Sequence, residues 1–384
     1  MEKVQLGTLV KITSGFAFKS NLFNTDKNGL PLIRIRDVVR GYSDTYYDGE
    51  YKTEYLIQDD DALIGMDGEF NLALWKGGKA LLNQRVCKIQ SIDERLDQNY
   101  LIRFLPKALK DIEDRTPFVT VKHLSVKDIN NIQIPLPPLA EQRRIASLLD
   151  QADELRQKRQ QAIEKLDQLL QATFIDMFGD PVSNPNNYEQ VELDSFILVG
   201  PQNGLYKPAN MYGQGTPIVR IDGFKSGDII DNKEFKRLSL EESDIEKYKL
   251  NKFDLVINRV NSPEYIGKTA LIRNLEESTV FESNMMRFAV DTSKLDTYYL
   301  LFFLKQQFVL NQIANKRKDA VNQSSINQQD VKSLIINVPP IELQITFSNF
   351  FQKLEKNRNL FNQQALNFDN LFKALQNQAF NGTL

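Results

Sequence analysis

The chain contains one cysteine and one histidine in 384 residues, and each scarcity excludes chemistry. With Cys87 alone, neither an intramolecular disulfide nor a thiolate-based structural zinc site can be assembled. A solitary His123 removes most histidine metal sites and acid–base dyads, and it reads as an ordinary loop residue. No stretch approaches the ~18 to 20 apolar residues needed to span a bilayer, and the opening "MEKVQLGTLVKITSG" lacks a signal peptide's apolar run. The chain is therefore expected in the cytoplasm, away from membranes. Positive charge is not in excess either: 48 Lys and Arg stand against 50 Asp and Glu. That balance excludes a nonspecific basic coat for nucleic acid, so any DNA reader here must concentrate charge locally.

What the sequence does have is a copy of itself. Displaced by 202 positions, "HLSVKDINNIQIPLPPLAEQ" from His123 lies over the segment running from Ser325 to Gln344 without a gap. Asp128 meets Asp330, Pro137 and Pro138 meet Pro339 and Pro340, and Gln142 meets Gln344. Upstream, "VQLGTLV" at Val4 matches "VELDSFI" at Val191, and "PLIRIRD" at Pro31 matches "PIVRIDG" at Pro217. "DALIGMDG" at Asp61 resembles "DLVINRVN" at Asp254, and "RVCKIQ" at Arg85 resembles "RFAVDT" at Arg287. A unit of about half the chain is far longer than the ~20 to 50 residues of a solenoid repeat.

Each half mixes short β-rich runs, "PLIRIRDVV" and "DALIGM" among them, with one helical stretch, "NYLIRFLPKALKDI" or "YYLLFFLKQQFVLNQI". The fold class is α+β, or mixed α/β: two pseudo-repeated domains separated by a pair of long antiparallel coiled-coil helices. Ile145, Leu148, Leu149, Leu155, Leu166, Leu169, Leu170 and Phe174 recur at coiled-coil spacing, and Phe347, Phe350, Phe351, Phe361, Leu371 and Phe372 repeat the stripe. Both stripes are expected in an intramolecular seam, with Arg156, Lys158 and Arg159 on the outer face. The expected boundaries are 1–138 (first domain), 139–180 (first helix), 181–338 (second domain) and 339–384 (second helix). Forty residues of helix span about 60 Å at ~1.5 Å each, enough for a spacer.

Catalytic signatures are weak. "NPNNY" at Asn184 faintly resembles an amino-methyltransferase loop but lacks its second proline and adjacent aromatic, and reads as a linker. The acidic runs at Asp59 and Asp67 read as solvated turns, and "KGGK" at Lys76 is too short for a phosphate loop. No catalytic residue and no metal ligand is assigned.

The order of parts, and above all "IPLPPLAEQRRIASLLDQADELRQKRQQAIEKLDQLLQATFIDMFGDP", resembles the specificity subunit of type I restriction–modification systems. The second copy, "VPPIELQ", is weaker: it lacks the acidic residue at the position of Glu141 and both arginines that follow Gln142. The resemblance implies a non-catalytic chain whose two target-recognition domains each read one half of a split, asymmetric site in double-stranded DNA. The helices would set the unspecified gap. Two methyltransferase subunits would dock on the helical region and the recognition domains, and two restriction subunits would complete the endonuclease. S-adenosylmethionine, ATP and magnesium would belong to those partners, with no cofactor in this chain. A competing reading is a two-domain scaffold that spaces protein partners without reading DNA; a stand-alone DNA-modifying enzyme has no motif to support it.

Neither domain is a basic patch overall, with 19 Lys plus Arg against 19 acidic residues in 1–138 and 19 against 20 in 188–340. Base reading needs Arg, Lys, Asn and Gln more than net charge. In the first domain the candidate DNA contacts are Lys19, Arg34, Arg36, Asn71, Lys76, Lys79 and Lys122. The second domain offers Lys207, Arg220, Asn258, Arg259, Asn261, Lys268, Lys316, Arg317, Lys318, Asn322 and Gln323. For Arg34 and Arg220, each in a strand-like run, an ion pair with Asp37 or Asp222 competes with a phosphate contact. Tyr206 and Trp75 could stack on bases or cap a core, and the core is the expected place. Glu141, Gln142, Arg143, Arg144 and Gln344 are the candidate partner contacts.

Overall fold

The computed structural model describes residues 2–116, 121–231, 234–320 and 323–383. It comprises two compact units, 1–161 with 362–384, and 162–361. In the first unit an antiparallel sheet places Val10–Ser14, Val86–Ser91, Ala62–Gly65 and Leu72–Leu74 side by side in that order. Ala62–Gly65 is buried at every position, so it reads as an uninterrupted apolar run without alternation. A second sheet orders Phe23–Asn24, Tyr46–Tyr47, Leu30–Ile33, Ala80–Leu82 and Leu56–Ile57, and this part also holds helices α1 (Ile35–Arg40), α2 (Gln98–Arg115) and α3 (Val126–Asn130). The Asp97 side chain caps α2 by accepting from the Asn99 and Tyr100 N–H groups, and Tyr100, Leu101, Phe104, Leu105 and Leu109 bury its inner face. Helix α4 (Leu139–Phe178) follows.

The second unit repeats the plan. Its five-stranded sheet orders Ile197–Asn203, Met285–Val290, Leu255–Asn258, Thr269–Ile272 and Asp228–Ile230, and α5 (Glu242–Tyr248) lies between strands. Then come α6 (Thr297–Leu304), α7 (Gln307–Lys316), α8 (Gln328–Lys332) and α9 (Ile341–Asn381). "YYLLFFLKQQFVLNQI" is thus two helices where one is expected. All eight residues of α6 are buried, and the Gln306 side chain at the break donates to the Phe302 carbonyl and meets Gln171. A helix enclosed on every side shows no amphipathic period to mark where it stops.

The repeat extends to single side chains. Ser125 and Asp128 form a capping box on α3, as Asn327 and Asp330 do on α8. The Tyr100 hydroxyl donates to the Pro135 carbonyl at 2.9 Å, and Tyr299 donates to the Asn337 carbonyl at 2.8 Å. Gln142 and Gln344 are both fully buried. Each amide donates to a proline carbonyl, Pro137 or Pro339, and accepts from the backbone N–H of Asp97 or Asp296, the residue capping α2 or α6. One alignment needs correction: Val86 opposes Gly65 and Met285 opposes Asn258, so Lys88, not Arg85, is the counterpart of Arg287. The offset is three residues, an odd number that would turn every side chain of the strand to the opposite face. Ion pairs support the corrected register, with Lys88 at 3.3 Å from Asp61 and Arg287 at 3.2 Å from Asp254. Burial holds the Asp254 carboxyl above its usual range even beside that guanidinium.

Within the first unit the start of α4 packs against the end of α9: Ile145, Ala146 and Leu149 share a core with Ala379 and Phe380. Within the second, the Phe178 and Phe347 rings are 5.5 Å apart, and Phe174, Leu170 and Phe351 join them. In both units the helices run antiparallel. The seam is narrower than the apolar stripe, however, and Leu155, Leu169 and Leu371 are about half exposed, not core. Spacings of three and four mark a wide face, of which only part meets the partner helix. Cys87 is buried in the first sheet, where desolvation pushes its thiol up to about 12.

Candidate nucleic-acid interface

In each unit five chain segments converge at one end of the main sheet, through the same backbone bonds. In the first, Met66 at the end of a central strand donates to the Arg85 carbonyl and accepts from the Leu124 N–H. Gln84 donates to the Phe16 carbonyl. In the second, Arg259 donates to Asn284, Ile326 donates to Arg259, and Ser283 donates to Leu205. Glycine is required at Gly15 and Gly204, where a Cβ would lie 1.9 Å from the Asn83 carbonyl oxygen or 2.2 Å from that of Glu282. The fifth segment carries Arg34 or Arg220. Each guanidinium stands over an aromatic ring, Phe23 at 5.4 Å or Tyr212 at 5.6 Å.

On this shared frame the side chains differ. The first unit presents Ala17, Gln84 and Arg85; the second presents Tyr206, Ser283 and Asn284 at the matching places. Arg85 is held at φ 70°, costly for a residue with a Cβ, and its side chain is exposed, 3.5 Å from Asp67. Asp67 also meets His123 Nδ1 at 2.6 Å. In the second unit Tyr206, Lys207, Tyr212, Arg220, Lys236 and Asn284 line a cleft of about 840 Å³. Glu282 accepts from the Ile221 N–H at its wall, and burial raises its carboxyl above the usual range.

A family model, the type I restriction modification DNA specificity domain, matches residues 1–165 and 185–367. The chain belongs to that family. It is a specificity subunit of the type I restriction–modification kind, with two copies of the domain that recognises DNA. The chain is 28% identical over 412 residues to the EcoBI specificity subunit of Escherichia coli, covering all of this chain and 86% of that one. It is 24% identical to the EcoKI specificity subunit of Escherichia coli K12, covering 92% and 82%. Among solved structures, the type I S subunit from M. genitalium superposes with a TM-score of 0.60 at 14% identity over 99% of this chain and 96% of that one, a likeness of fold.

The specificity subunit distributes the expected DNA contacts unevenly. Lys19, Arg36, Lys79, Lys318 and Gln323 are exposed. Arg34 and Arg220 sit at the converging end, although Arg34 is not in a strand: the β-run stops at Ile33 and Arg34 caps α1. Of the two expected ion pairs only one forms, Arg220 lying 3.5 Å from Asp222 and 3.7 Å from Glu282. Asn71 lies in a loop near Glu69, whereas Asn261 belongs to the short strand Val260–Asn261, opposite Ser324, and accepts from the Ser262 N–H. Arg259 donates to the Ser283 carbonyl.

Several others have internal duties. Asn258 is fully buried in its strand, Lys122 donates to the Glu113 carbonyl, and Lys268 donates to the Ile221 carbonyl. Lys76 pairs with Asp60, Lys207 with Asp244, Lys316 with Ser333 and Arg317 with Asp319. Asn322 lies outside the described residues. On either side of it, Lys318–Ala320 and Gln323–Ser325 are antiparallel strands paired with each other.

Trp75 is in the core, its indole donating to the Gly78 carbonyl, but Tyr206 is 76% exposed. Arg85, Asn284 and Lys236 lie at this end without being among the expected contacts, and Tyr206, for which the core was favoured over base stacking, is on the surface. The signal for Tyr206 was present in "GLYKPAN", where a glycine, a lysine and a proline surround the aromatic. Of the expected partner contacts, Glu141 and Arg144 pair with each other at 2.7 Å and Arg143 is exposed. Gln142 and Gln344 are not surface groups, and their buried amides position the helix caps.

Proposed function

We propose that the two domains, 1–138 and 181–338, each read one half of a split, asymmetric sequence in double-stranded DNA, while the helical segments 139–180 and 339–384 hold the halves at a fixed gap. The observation that carries this reading is one backbone frame bearing different chemistry. An arginine at the turn of the first domain suits the O6 and N7 edge of guanine, whereas an asparagine at the same turn of the second suits adenine. Tyr206 has a face on which a base can stack, and Ala17 at the matching position has none. A scaffold for protein partners would have no reason to vary these residues on a constant frame.

Phosphate contacts come from exposed cations such as Lys19, Lys79 and Lys318, and partners share that load because the chain's net charge is −2. The chain itself is non-catalytic and works in the cytoplasm. Two methyltransferase subunits bind S-adenosylmethionine and methylate adenine; two restriction subunits supply ATP- and magnesium-dependent cleavage. Removing the gene from a host that expresses the methyltransferase is expected to erase one split adenine-methylation motif from the methylome. An unchanged methylome would sink the reading and favour the scaffold.

Docking of two identical subunits calls for matched surfaces. Leu169 and Leu371, equivalent in the repeat, are exposed at 48% and 51% on α4 and α9. Glutamate at either position is expected to leave the fold intact, as surface substitutions do, while weakening methyltransferase binding about tenfold at that helix, ~1.4 kcal/mol. Calorimetric titration of the purified chain with the methyltransferase reads this directly, and equal affinities would exclude the leucines from the contact.

A further inference from the structure

Three residues at the converging end of the first unit come from three distant segments and meet at one carboxylate. Asp67 Oδ1 lies 2.6 Å from His123 Nδ1, and Asp67 Oδ2 lies 3.5 Å from Arg85 Nε. The Asp67 side chain is mostly enclosed, at 16% exposure, whereas that of Arg85 is 58% exposed. The backbone around the carboxylate is fixed on both sides: Met66 donates to the Arg85 carbonyl, Leu124 donates to Met66, and Gly68 donates to Lys122.

The second unit has this frame without the cluster. Arg259 stands where Met66 does, donating to the Asn284 carbonyl and accepting from Ile326. Val260 therefore matches Asp67, and its bridge to Ser325 matches that of Asp67 to His123. Where the turn residue is arginine, a carboxylate and a histidine stand behind it; where it is asparagine, a valine and a serine do. The three positions change together on a constant backbone.

Stability does not account for the cluster, since partly exposed pairs contribute little and the second unit builds the same frame without one. Phosphate attraction does not account for it either. A carboxylate beside Arg85 weakens the pull of that charge on an anionic backbone, and phosphate contacts carry no sequence information that would need a fixed guanidinium. Orientation does account for it. An exposed arginine has several rotatable bonds to order when it binds, and asparagine has fewer. A contact at Nε arrests the guanidinium and leaves its two terminal amino groups for the paired O6 and N7 acceptors of guanine in the major groove.

We infer that the first domain reads a guanine through Arg85, and that Asp67, held by His123, is the positioning residue that orients the guanidinium. The inference deepens the proposed reading of split DNA sites and rests on it. Asp67 and His123 touch no base in this role.

The test uses the full chain expressed with its methyltransferase. Methylome sequencing of the unaltered chain gives the split motif, and the purified complex is then titrated with duplexes that carry the motif, carry it with one base pair replaced, or lack it. R85A is expected to lose discrimination at one G·C pair of one half-site, roughly tenfold. D67N is expected to lose it at the same pair roughly fivefold, the cost of an arginine left to order itself on binding, while the duplex without the motif is bound no more weakly. In R85A/D67N the second substitution is expected to add nothing. If D67N leaves the pair as selective as before, lowers selectivity in the R85A chain, or weakens binding to every duplex alike, Asp67 does not act through Arg85 and the positioning role is overturned. If R85A relaxes no pair, Arg85 reads no base and the inference falls while the split-site reading stands. If the unaltered chain directs no split motif, that reading falls and the inference falls with it. Should D67N fail to fold, Asp67→Val with His123→Ser, the pair that the second unit already carries on this frame, is held to the same outcomes.

Discussion

Gln142→Leu is expected to destabilise the first unit by about 3 kcal/mol, the largest stability loss from a single change at the surface-like positions of the helix start. The residue sits in "PPLAEQRR", a polar stretch that invites assignment to a partner, yet it is fully buried. Its Nε2 donates to the Pro137 and Arg95 carbonyls, both at 2.7 Å, and its Oε1 accepts from the Asp97 N–H at 2.8 Å. Leucine has similar bulk and none of these bonds. One donor and two acceptors would be left in a partly or wholly dry site, at ~1 to 3 kcal/mol for each group that finds no substitute. Asp97 caps α2, so the loss spreads from the start of α4 to a second helix. Gln344→Leu removes two bonds, to Pro339 and Asp296, and is expected to cost somewhat less. Denaturant unfolding of the purified chain measures both. A partner-contact role would give the opposite pattern, unchanged stability with weaker assembly.

That glutamine shows where the sequence was legible and where it was not. The repeat identified Gln142 and Gln344 as equivalent, because register survives in a gapless alignment of helix starts. Their job was hidden, because the groups they satisfy, Asp97 and Asp296, come from a loop about 45 residues away in each half. The same distinction applies to the helices. Their ends follow from prolines before Leu139 and from Gly179 at φ 76° after Phe178, both local rules. Which leucines of the stripe face inward depends on the partner helix, so Leu155, Leu169 and Leu371 were misplaced.

At the candidate interface, composition favoured every Lys, Arg, Asn and Gln in a loop-like run. Tertiary contacts then removed Asn258 to the core and paired Lys76, Lys207 and Arg317 with nearby acids. Arg85 escaped notice because it precedes a strand and looked like part of one; its positive φ belongs to a turn that only the folded backbone reveals. Backbone-level similarity between the units, more than charge, marks the candidate interface.

Lengthening both helices by four residues is expected to lengthen the unspecified gap by about two base pairs, because four helical residues add ~6 Å and each pair advances ~3.4 Å. The insertions belong after Gln161 in α4 and after Gln363 in α9, positions equivalent in the repeat. There they fall between two cross-helix ion pairs, so the Arg156–Asp369 contact stays within the first unit and Arg358–Asp167 within the second. Four residues exceed one turn by only ~0.4 of a residue, so the inner faces keep their direction to within ~40°. Helix formers without β-branches, such as Ala, Glu, Lys and Leu, keep the segment continuous. Both half-sites should persist in the methylome, because no residue of the converging loops has moved relative to its own sheet. Inserting the four residues into one helix alone is expected to abolish methylation: either the aromatic contacts of Phe178 with Phe347 or the packing of Phe380 beside Ile145 must then give way. Burial of those rings contributes ~3 to 5 kcal/mol each, far more than a chain of ordinary stability can lose without unfolding part of a unit. An altered half-site with an unaltered gap, from the paired insertion, would rule out the helices as the spacer.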